Sequence, residues 1–116
     1  MATLVPAHAQ PRAAVVWIDG WHALIAQAQS GRATIREIDR DAEPEHDYFV
    51  RVAHTADDCD RLMIVGPGTT RLAFEREYAS LYRRPDRFVD AETAPLATER
   101  ELIERLHQIE PDERRP

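Results

Sequence analysis

The chain of 116 residues contains no lysine, four glycines and a single cysteine, Cys59. No apolar run approaches the roughly 20 residues that a membrane span needs, so we expect no membrane partner. One cysteine excludes an internal disulfide, which favours a reducing, cytoplasmic location. All 15 basic residues are arginines, yet the net charge is −6. Because phosphate contacts dominate nonspecific nucleic-acid binding, such an acidic chain needs a local basic patch to bind RNA.

The composition is that of a globular protein, with 43% hydrophobic and 31% charged residues. Residues 1–12 carry two prolines and no periodic pattern, and they lack the charged and apolar regions of a secretory signal. Residues 111–116 are equally aperiodic. We therefore expect one α/β domain over residues 13–110, between two flexible tails.

Three short strands are predicted at the start of the domain. Residues 13–18 are apolar at every position, which is typical of a central strand that is covered on both faces. Asp19-Gly20 and Ser30-Gly31 have the composition of tight turns. They separate two further predicted strands, at residues 21–28 and 33–38. Strands joined by such close turns form an antiparallel meander.

Helical and strand patterns alternate after residue 46. One helical stripe comprises Phe49, Val52, Ala53 and Ala56. A second comprises Phe74, Tyr78, Leu81 and Tyr82. Between these helices, residues 62–65 predict another central strand, and Thr69 or Thr70 is the expected N-cap of the second helix. Residues 87–92 fit a last strand, and Thr98 with Glu101 forms a capping box ahead of a final helix.

The predicted order is β-β-β-α-β-α-β-α. Helices between apolar strands imply right-handed parallel crossovers in the second half. A meander joined to a parallel half is a mixed sheet of the ribonuclease-H-like plan, with helices packed on the sheet. In this plan residues 15–18 and 62–65 are adjacent and parallel at the centre of the sheet.

Several stretches carry a resemblance to a known family. Residues 14–19 resemble the opening strand and acidic turn of short bacterial proteins that are similar to the central domain of the archaeal and eukaryotic peptide-chain release factor. Residues 62–68, followed by Phe74, resemble their strand, Gly-Pro-Gly turn and helix. Residues 87–89 and 92–94 resemble their last strand and its exit.

The resemblance covers most of residues 13–107, whereas residues 32–58 depart from the family pattern. It implies a ribonuclease-H-like fold and association with the translation machinery. Catalytic release factors of this family use a Gly-Gly-Gln tripeptide, and this chain contains no Gly-Gly dipeptide. The resemblance therefore implies a translation-associated domain that binds the ribosome, RNA or a protein without hydrolysing peptidyl-tRNA.

Two groups of residues are candidate binding sites. The turn between the second central strand and its helix places free N–H groups and a helix dipole where an anion can bind. Its candidate residues are Gly66, Gly68, Thr69, Thr70 and Arg71. The alternative is an ordinary strand-to-helix turn with a threonine cap and an Arg71–Glu75 pair at the surface.

A basic edge at the end of the second helix is the candidate RNA-facing patch. It comprises Arg76, Arg83, Arg84 and Arg87. Trp21, beside the first turn, is a candidate for stacking on a base or a partner. The alternative is that the arginines are only the solvated side of an amphipathic helix.

Two other functions remain open. Asp19 ends a strand where ribonuclease-H-like nucleases hold a metal, although residues 62–65 offer no second carboxylate and Asp-Gly also suits a turn. His54 and Cys59, close to Asp57 and Asp58, are too few to predict a zinc site. An exposed sheet edge would suit a homo-oligomer. We assign no catalytic residue, metal ligand or cofactor, and favour binding over an enzymatic role.

Overall fold

The computed structural model describes residues 12–29, 32–56, 59–82, 88–93 and 98–109. Within these residues the elements follow the predicted order. They are β1 (Arg12–Ile18), β2 (His22–Gln29), β3 (Arg32–Asp39), α1 (Glu45–Ala56), β4 (Arg61–Gly66), α2 (Gly68–Tyr82), β5 (Phe88–Thr93) and α3 (Glu99–Ile109). Of the predicted tails, only Arg12 lies inside the described residues, as the first residue of β1.

The strands form one mixed sheet in the order β3-β2-β1-β4-β5. Strands β1, β2 and β3 pair antiparallel, whereas β1 pairs parallel with β4 and β4 with β5. The predicted parallel contact at the sheet centre is confirmed, with Val15 beside Met63 and Val16 beside Ile64. The fold is therefore the α/β plan expected from the sequence, a meander continued by a parallel half.

Helices cover both faces of the sheet, which explains why β1 is apolar at every position. Successive side chains of a strand point to opposite faces. Val16 and Ile18 pack with residues of α1 and α2, whereas Val15 and Trp17 pack with residues of α3. Each of these side chains is essentially inaccessible to solvent.

The predicted apolar stripe of α1 is confirmed. Its four residues are all buried, namely Phe49, Val52, Ala53 and Ala56. The capping box of α3 is also present. The Thr98 N–H donates to Glu101 Oε1 over 2.8 Å, and the Glu101 N–H donates to Thr98 Oγ1 over 3.1 Å. Leu102 and Leu106 then lie fully buried against the sheet. No helix in the described ranges is long and apolar enough to cross a membrane.

Two expectations for α2 are wrong. The helix begins at Gly68, and the Pro67 carbonyl accepts from the Arg71 N–H over 2.9 Å, so Thr69 and Thr70 lie in the first turn and do not cap it. Leu81 is 38% exposed and lies outside the buried stripe. The helix instead contacts its neighbours along the row of Phe74, Tyr78 and Tyr82, spaced four residues apart. Such a row is inclined to the helix axis, which leaves Leu81 on the solvent side.

Candidate functional site

Gly66, the last residue of β4, lies directly against the backbone of Ile18 in β1. Its φ is +148°, a conformation that residues with a Cβ rarely adopt. A Cβ placed there would lie 2.2 Å from the carbonyl oxygen of Ile18 in β1. The glycine is therefore needed for packing of the two central strands, whether or not the turn that follows binds an anion.

The turn after Gly66 brings the predicted anion-site residues to the N-terminus of α2. Thr69 is exposed, and the Arg71 side chain is folded against the protein with 15% exposure. Arg71 Nη1 lies 4.0 Å from Glu75 Oε2, which is the surface pair named as the alternative. Arg71 Nε is buried and has no hydrogen-bond partner among the described residues. Anion binding at this turn stays a prediction.

Asp19 organises the turn between β1 and β2. Its Oδ1 accepts hydrogen bonds from the Trp21 and His22 backbone N–H groups, each over 2.8 Å. The Tyr48 hydroxyl donates to the Asp19 carbonyl oxygen over 3.0 Å. Burial and, after it, the nearby Asp19 charge raise the pKa of Tyr48 above its usual value, so the hydroxyl keeps its proton. These contacts support the interpretation of Asp19 as a turn residue.

The described part of the chain brings no three His, Cys, Asp or Glu side chains together in a geometry that suits a metal ion. Asp57 and Asp58, from the cluster considered for zinc, lie outside that part. Cys59 is 2% exposed, and its Sγ lies 3.6 Å from the Tyr78 hydroxyl oxygen. The structure therefore places Cys59 in the core beside α2.

Trp21 is the most exposed large apolar residue of the described chain, at 67%. The Arg40 guanidinium lies 5.0 Å from the centre of its ring. Hydrogen bonds to the Glu43 and Gly20 carbonyl oxygens hold this guanidinium in place. The loop that carries Arg40 also carries several carboxylates. Stacking of a base or a partner on Trp21 stays a prediction.

The predicted arginine edge is only partly visible. Arg76 is exposed on α2, whereas Arg83, Arg84 and Arg87 lie outside the described residues. The edge therefore stays a prediction.

A different basic surface lies beside β3. A cleft of about 620 Å³ opens between β3, the adjacent part of β2 and the C-terminal half of α1, and we call it the β3 cleft. Its polar lining comprises Gln27, Arg32, Thr34, Arg36, Arg51, His54 and Thr55, and its apolar lining comprises Ala13, Ala28, Ala56 and Cys59. None of these lining residues is acidic. The cleft thus concentrates positive charge on a chain whose net charge is −6.

The β3 cleft exists because α1 covers only one end of β3. Ile38, at the C-terminal end of the strand, is 8% exposed and belongs to the core below α1. Arg32, Thr34 and Arg36 lie further from the helix and are exposed. Gln27 ties β2 to the end of α1, because its Nε2 donates to the Thr55 carbonyl oxygen over 2.8 Å.

The arginines of the β3 cleft differ in how firmly they are held. Arg51 donates to the Glu43 carboxylate and to the Asp39 carbonyl oxygen, and the hydrogen bond to Glu43 raises its pKa. Arg32 and Arg36 make no ion pair with any carboxylate of the described residues. These two guanidinium groups are therefore available to an anion from solution.

Sequence reasoning missed the β3 cleft, although one signal was present. Alternation along a strand puts Thr34, Arg36 and Ile38 on one face, and extending it backwards by one step adds Arg32. The sequence does not reveal that α1 leaves this face open. Nor does local pattern place Arg51 and His54, which belong to a helix, across from these strand residues.

No protein-family model and no curated protein matches the chain. Several solved structures do. Pelota of Archaeoglobus fulgidus matches with a TM-score of 0.66 at 17% identity, over 85% of this chain and 31% of that one. An archaeal translation termination factor matches with a TM-score of 0.61 at 14% identity, over 80% of this chain and 32% of that one.

Dom34 of S. cerevisiae, a translation termination-like factor, matches with a TM-score of 0.56 at 10% identity, over 79% of this chain and 31% of that one. At such identities the likeness shows a shared fold. The chain spans about a third of each of these proteins. The resemblance to the release-factor family is thus supported at the level of the fold.

Proposed function

We propose that this chain is a non-catalytic, translation-associated domain that docks on the ribosome. The observation that carries the proposal is the fold shared with translation termination-like factors over 79–85% of the chain. The proteins compared come from archaea and a yeast, so the shared plan is not peculiar to one source. A domain of this kind acts by binding, and its surface must supply the contacts.

The side chains support binding over catalysis. The sequence lacks the Gly-Gly-Gln tripeptide through which catalytic release factors act. The Asp19 carboxylate is engaged by two backbone N–H groups, so a metal at that position would compete with the turn. Although the His22 imidazole lies 3.7 Å from Asp19 Oδ1, the described residues bring no group of three His, Cys, Asp or Glu side chains together there that could hold a metal ion. A hydrolase that uses Asp19 therefore has less support than a binding domain.

A homo-oligomeric module is the second candidate, because β3 is an edge strand whose residues are mostly exposed. An edge strand offers unpaired backbone groups to a second copy. However, β3 carries charged side chains along its length, and charged edge strands normally oppose such pairing. This makes the oligomer the weaker proposal.

Sedimentation with ribosomes tests the proposed function. Purified protein should co-migrate with ribosomes of its source organism through a sucrose gradient at low salt, and the bound fraction should fall as salt rises. It should release no peptide from peptidyl-tRNA and cut no RNA–DNA hybrid with Mg²⁺ or Mn²⁺. Absence from ribosomal fractions at every salt concentration would reject the proposal.

Two results would support the other functions. A stable dimer by light scattering, together with no ribosome binding, would favour the oligomeric module. Metal-dependent cleavage that is abolished in Asp19→Asn would establish the hydrolase.

A further inference from the structure

We propose that the β3 cleft binds the phosphodiester backbone of single-stranded RNA. This inference deepens the proposed function and rests on it for its biological setting, because a domain that docks on the ribosome meets exposed RNA strands. The site consists mainly of Arg32, Thr34 and Arg36 on β3 and of Arg51 and His54 on α1. None of the residue groups predicted from the sequence to bind RNA or anions is part of it.

Charge is separated between the two faces of β3. Arg32 and Arg36 occupy even positions and point toward the cleft, whereas Glu37 and Asp39 occupy odd positions and point to the opposite face. The carboxylates of the strand therefore do not neutralise its arginines. The described lining presents arginines and no carboxylate to a polyanion, and salt screens the more distant charges of the acidic chain over about 8 Å.

The geometry suits an extended polyanion. The rise of a strand is about 3.3 Å per residue, so the Cα atoms of Arg32 and Arg36 are roughly 13 Å apart. Two guanidinium groups at this separation contact different phosphates, and each can bind a phosphate through two parallel N–H groups. Thr34 lies between them and supplies a hydroxyl.

Arg51 and His54 form the opposite wall of the cleft. The Glu43 carboxylate and the Asp39 carbonyl oxygen hold Arg51 in position, so this guanidinium is ordered before any ligand arrives. Glu43 also offsets part of its charge. Arg51 therefore shapes the wall, and most of the electrostatic attraction comes from Arg32 and Arg36.

The lining favours RNA over a protein partner. Protein interfaces depend on large aromatic or aliphatic anchors in apolar pockets. The apolar lining of the β3 cleft consists of alanines and Cys59, and it includes no aromatic side chain among the described residues. Because the lining includes no Phe, Tyr or Trp, binding depends mainly on phosphates and should show little preference for sequence. At about 620 Å³ the cleft has room for part of a single strand.

Binding to a labelled RNA oligonucleotide tests the inference directly. Fluorescence anisotropy with a uridine 12-mer should show binding that weakens with salt. The double variant Arg32→Ala/Arg36→Ala should bind about tenfold more weakly or worse. Its plot of log affinity against log salt should also be shallower by about 1.4, since each phosphate contact on a single strand contributes about 0.7.

The matched control is Arg100→Ala/Arg105→Ala, which removes two arginines from α3 on the other face of the sheet and changes the net charge equally. This control should retain at least half of the affinity. If both double variants lose the same affinity, general charge accounts for the binding and the inference is rejected. If only the control weakens, a surface on α3 binds the RNA instead and the inference is rejected.

Further measurements distinguish RNA binding at the cleft from a folding defect and from a small-ligand site. Far-ultraviolet circular dichroism shows whether the alanine variant folds like the parent protein. Arg32→Glu/Arg36→Glu reverses both charges and should bind RNA more weakly than the alanine variant, and an affinity equal to that of the parent protein would overturn the inference. Competition with ATP and with inorganic phosphate separates a backbone site from a small-ligand site. Displacement of RNA by micromolar ATP would assign the cleft to a nucleotide and overturn the inference.

The inference and the proposed function can fail separately. Ribosome co-sedimentation that persists in Arg32→Ala/Arg36→Ala, with unchanged RNA affinity, rejects the cleft and leaves ribosome docking intact. RNA binding through the cleft by a protein that never co-sediments with ribosomes rejects the docking and leaves the cleft intact.

Discussion

Replacing Gly66 with alanine should destabilise this protein more than other single glycine-to-alanine changes at exposed turns. Gly66 combines a φ of +148° with a close approach to the Ile18 carbonyl oxygen. The added Cβ would lie 2.2 Å from that oxygen, a distance that real structures do not tolerate. Either the backbone of Gly66 rotates or the two central strands, β1 and β4, move apart.

The expected loss follows from two terms. A residue with a Cβ in a conformation reserved for glycine costs about 1–3 kcal/mol. Forcing extra volume into a packed core typically costs about another 1–3 kcal/mol. Both apply here, so we expect the free energy of unfolding to fall by about 2–6 kcal/mol. Domains of this size have roughly 5–15 kcal/mol in total, so the variant should be partly unfolded at modest temperature.

Gly68 is the matched control, two residues away. A Cβ there meets nothing within 4 Å, and the residue is the first of α2. Gly68→Ala should therefore leave stability unchanged or raise it by up to about 1 kcal/mol, because alanine restricts the unfolded chain.

Urea denaturation followed by far-ultraviolet circular dichroism compares the two variants with the parent protein. A Gly66→Ala protein within about 1 kcal/mol of the parent would refute the packing argument. A variant that folds normally and loses ribosome binding would instead assign Gly66 to a ligand site at the turn.

Two further predictions concern single carboxylates. Asp19→Ala should lower the free energy of unfolding by about 1–2 kcal/mol, because two backbone N–H groups lose their acceptor, whereas Asp19→Asn keeps Oδ1 and should lose less. Equal losses by thermal melting would contradict the turn role. Hydrogen bonds from the Thr98 backbone N–H and then its hydroxyl lower the pKa of Glu101. The stabilisation is therefore present above the unfolded-state pKa of about 4.5 and is lost as pH falls through the lower folded-state pKa. Melting curves between pH 6 and pH 3 should show a smaller acid-induced drop for Glu101→Gln, and an unchanged drop would refute the assignment.

Local patterns predicted most of the elements correctly. The unbroken apolar runs of β1 and β4 indicated strands covered on both faces, and the structure pairs them in parallel at the sheet centre. The capping box at Thr98 was equally readable, because both of its hydrogen bonds lie within four residues. Such features depend on neighbouring residues alone, which is why a single sequence reveals them.

The two wrong predictions for α2 arose where the local pattern allowed two structures and tertiary contacts determined which one forms. Thr69 and Thr70 are good capping residues, but α2 begins before them. β4 ends at Gly66, which lies close to the Ile18 backbone, and the Pro67 carbonyl oxygen accepts the first hydrogen bond of α2. Leu81 matches the helical period, but α2 contacts α1 through Tyr82 and not through Leu81. The Tyr82 hydroxyl donates to the Ala53 carbonyl oxygen over 3.4 Å. In both cases packing between distant segments decided between options that the local pattern left equal.

The sequence by itself determined the order of the strands and helices and which two strands are central. It also determined the negative net charge, because of which RNA binding requires a separate basic surface. Only the tertiary structure decided where that surface lies. The β3 cleft depends on β3 extending beyond the cover of α1, and on a helix that starts several residues later supplying its other wall. Chain connectivity does not encode how two elements overlap in space. That overlap is set by the packing of Ile38, Tyr48 and their neighbours in the common core.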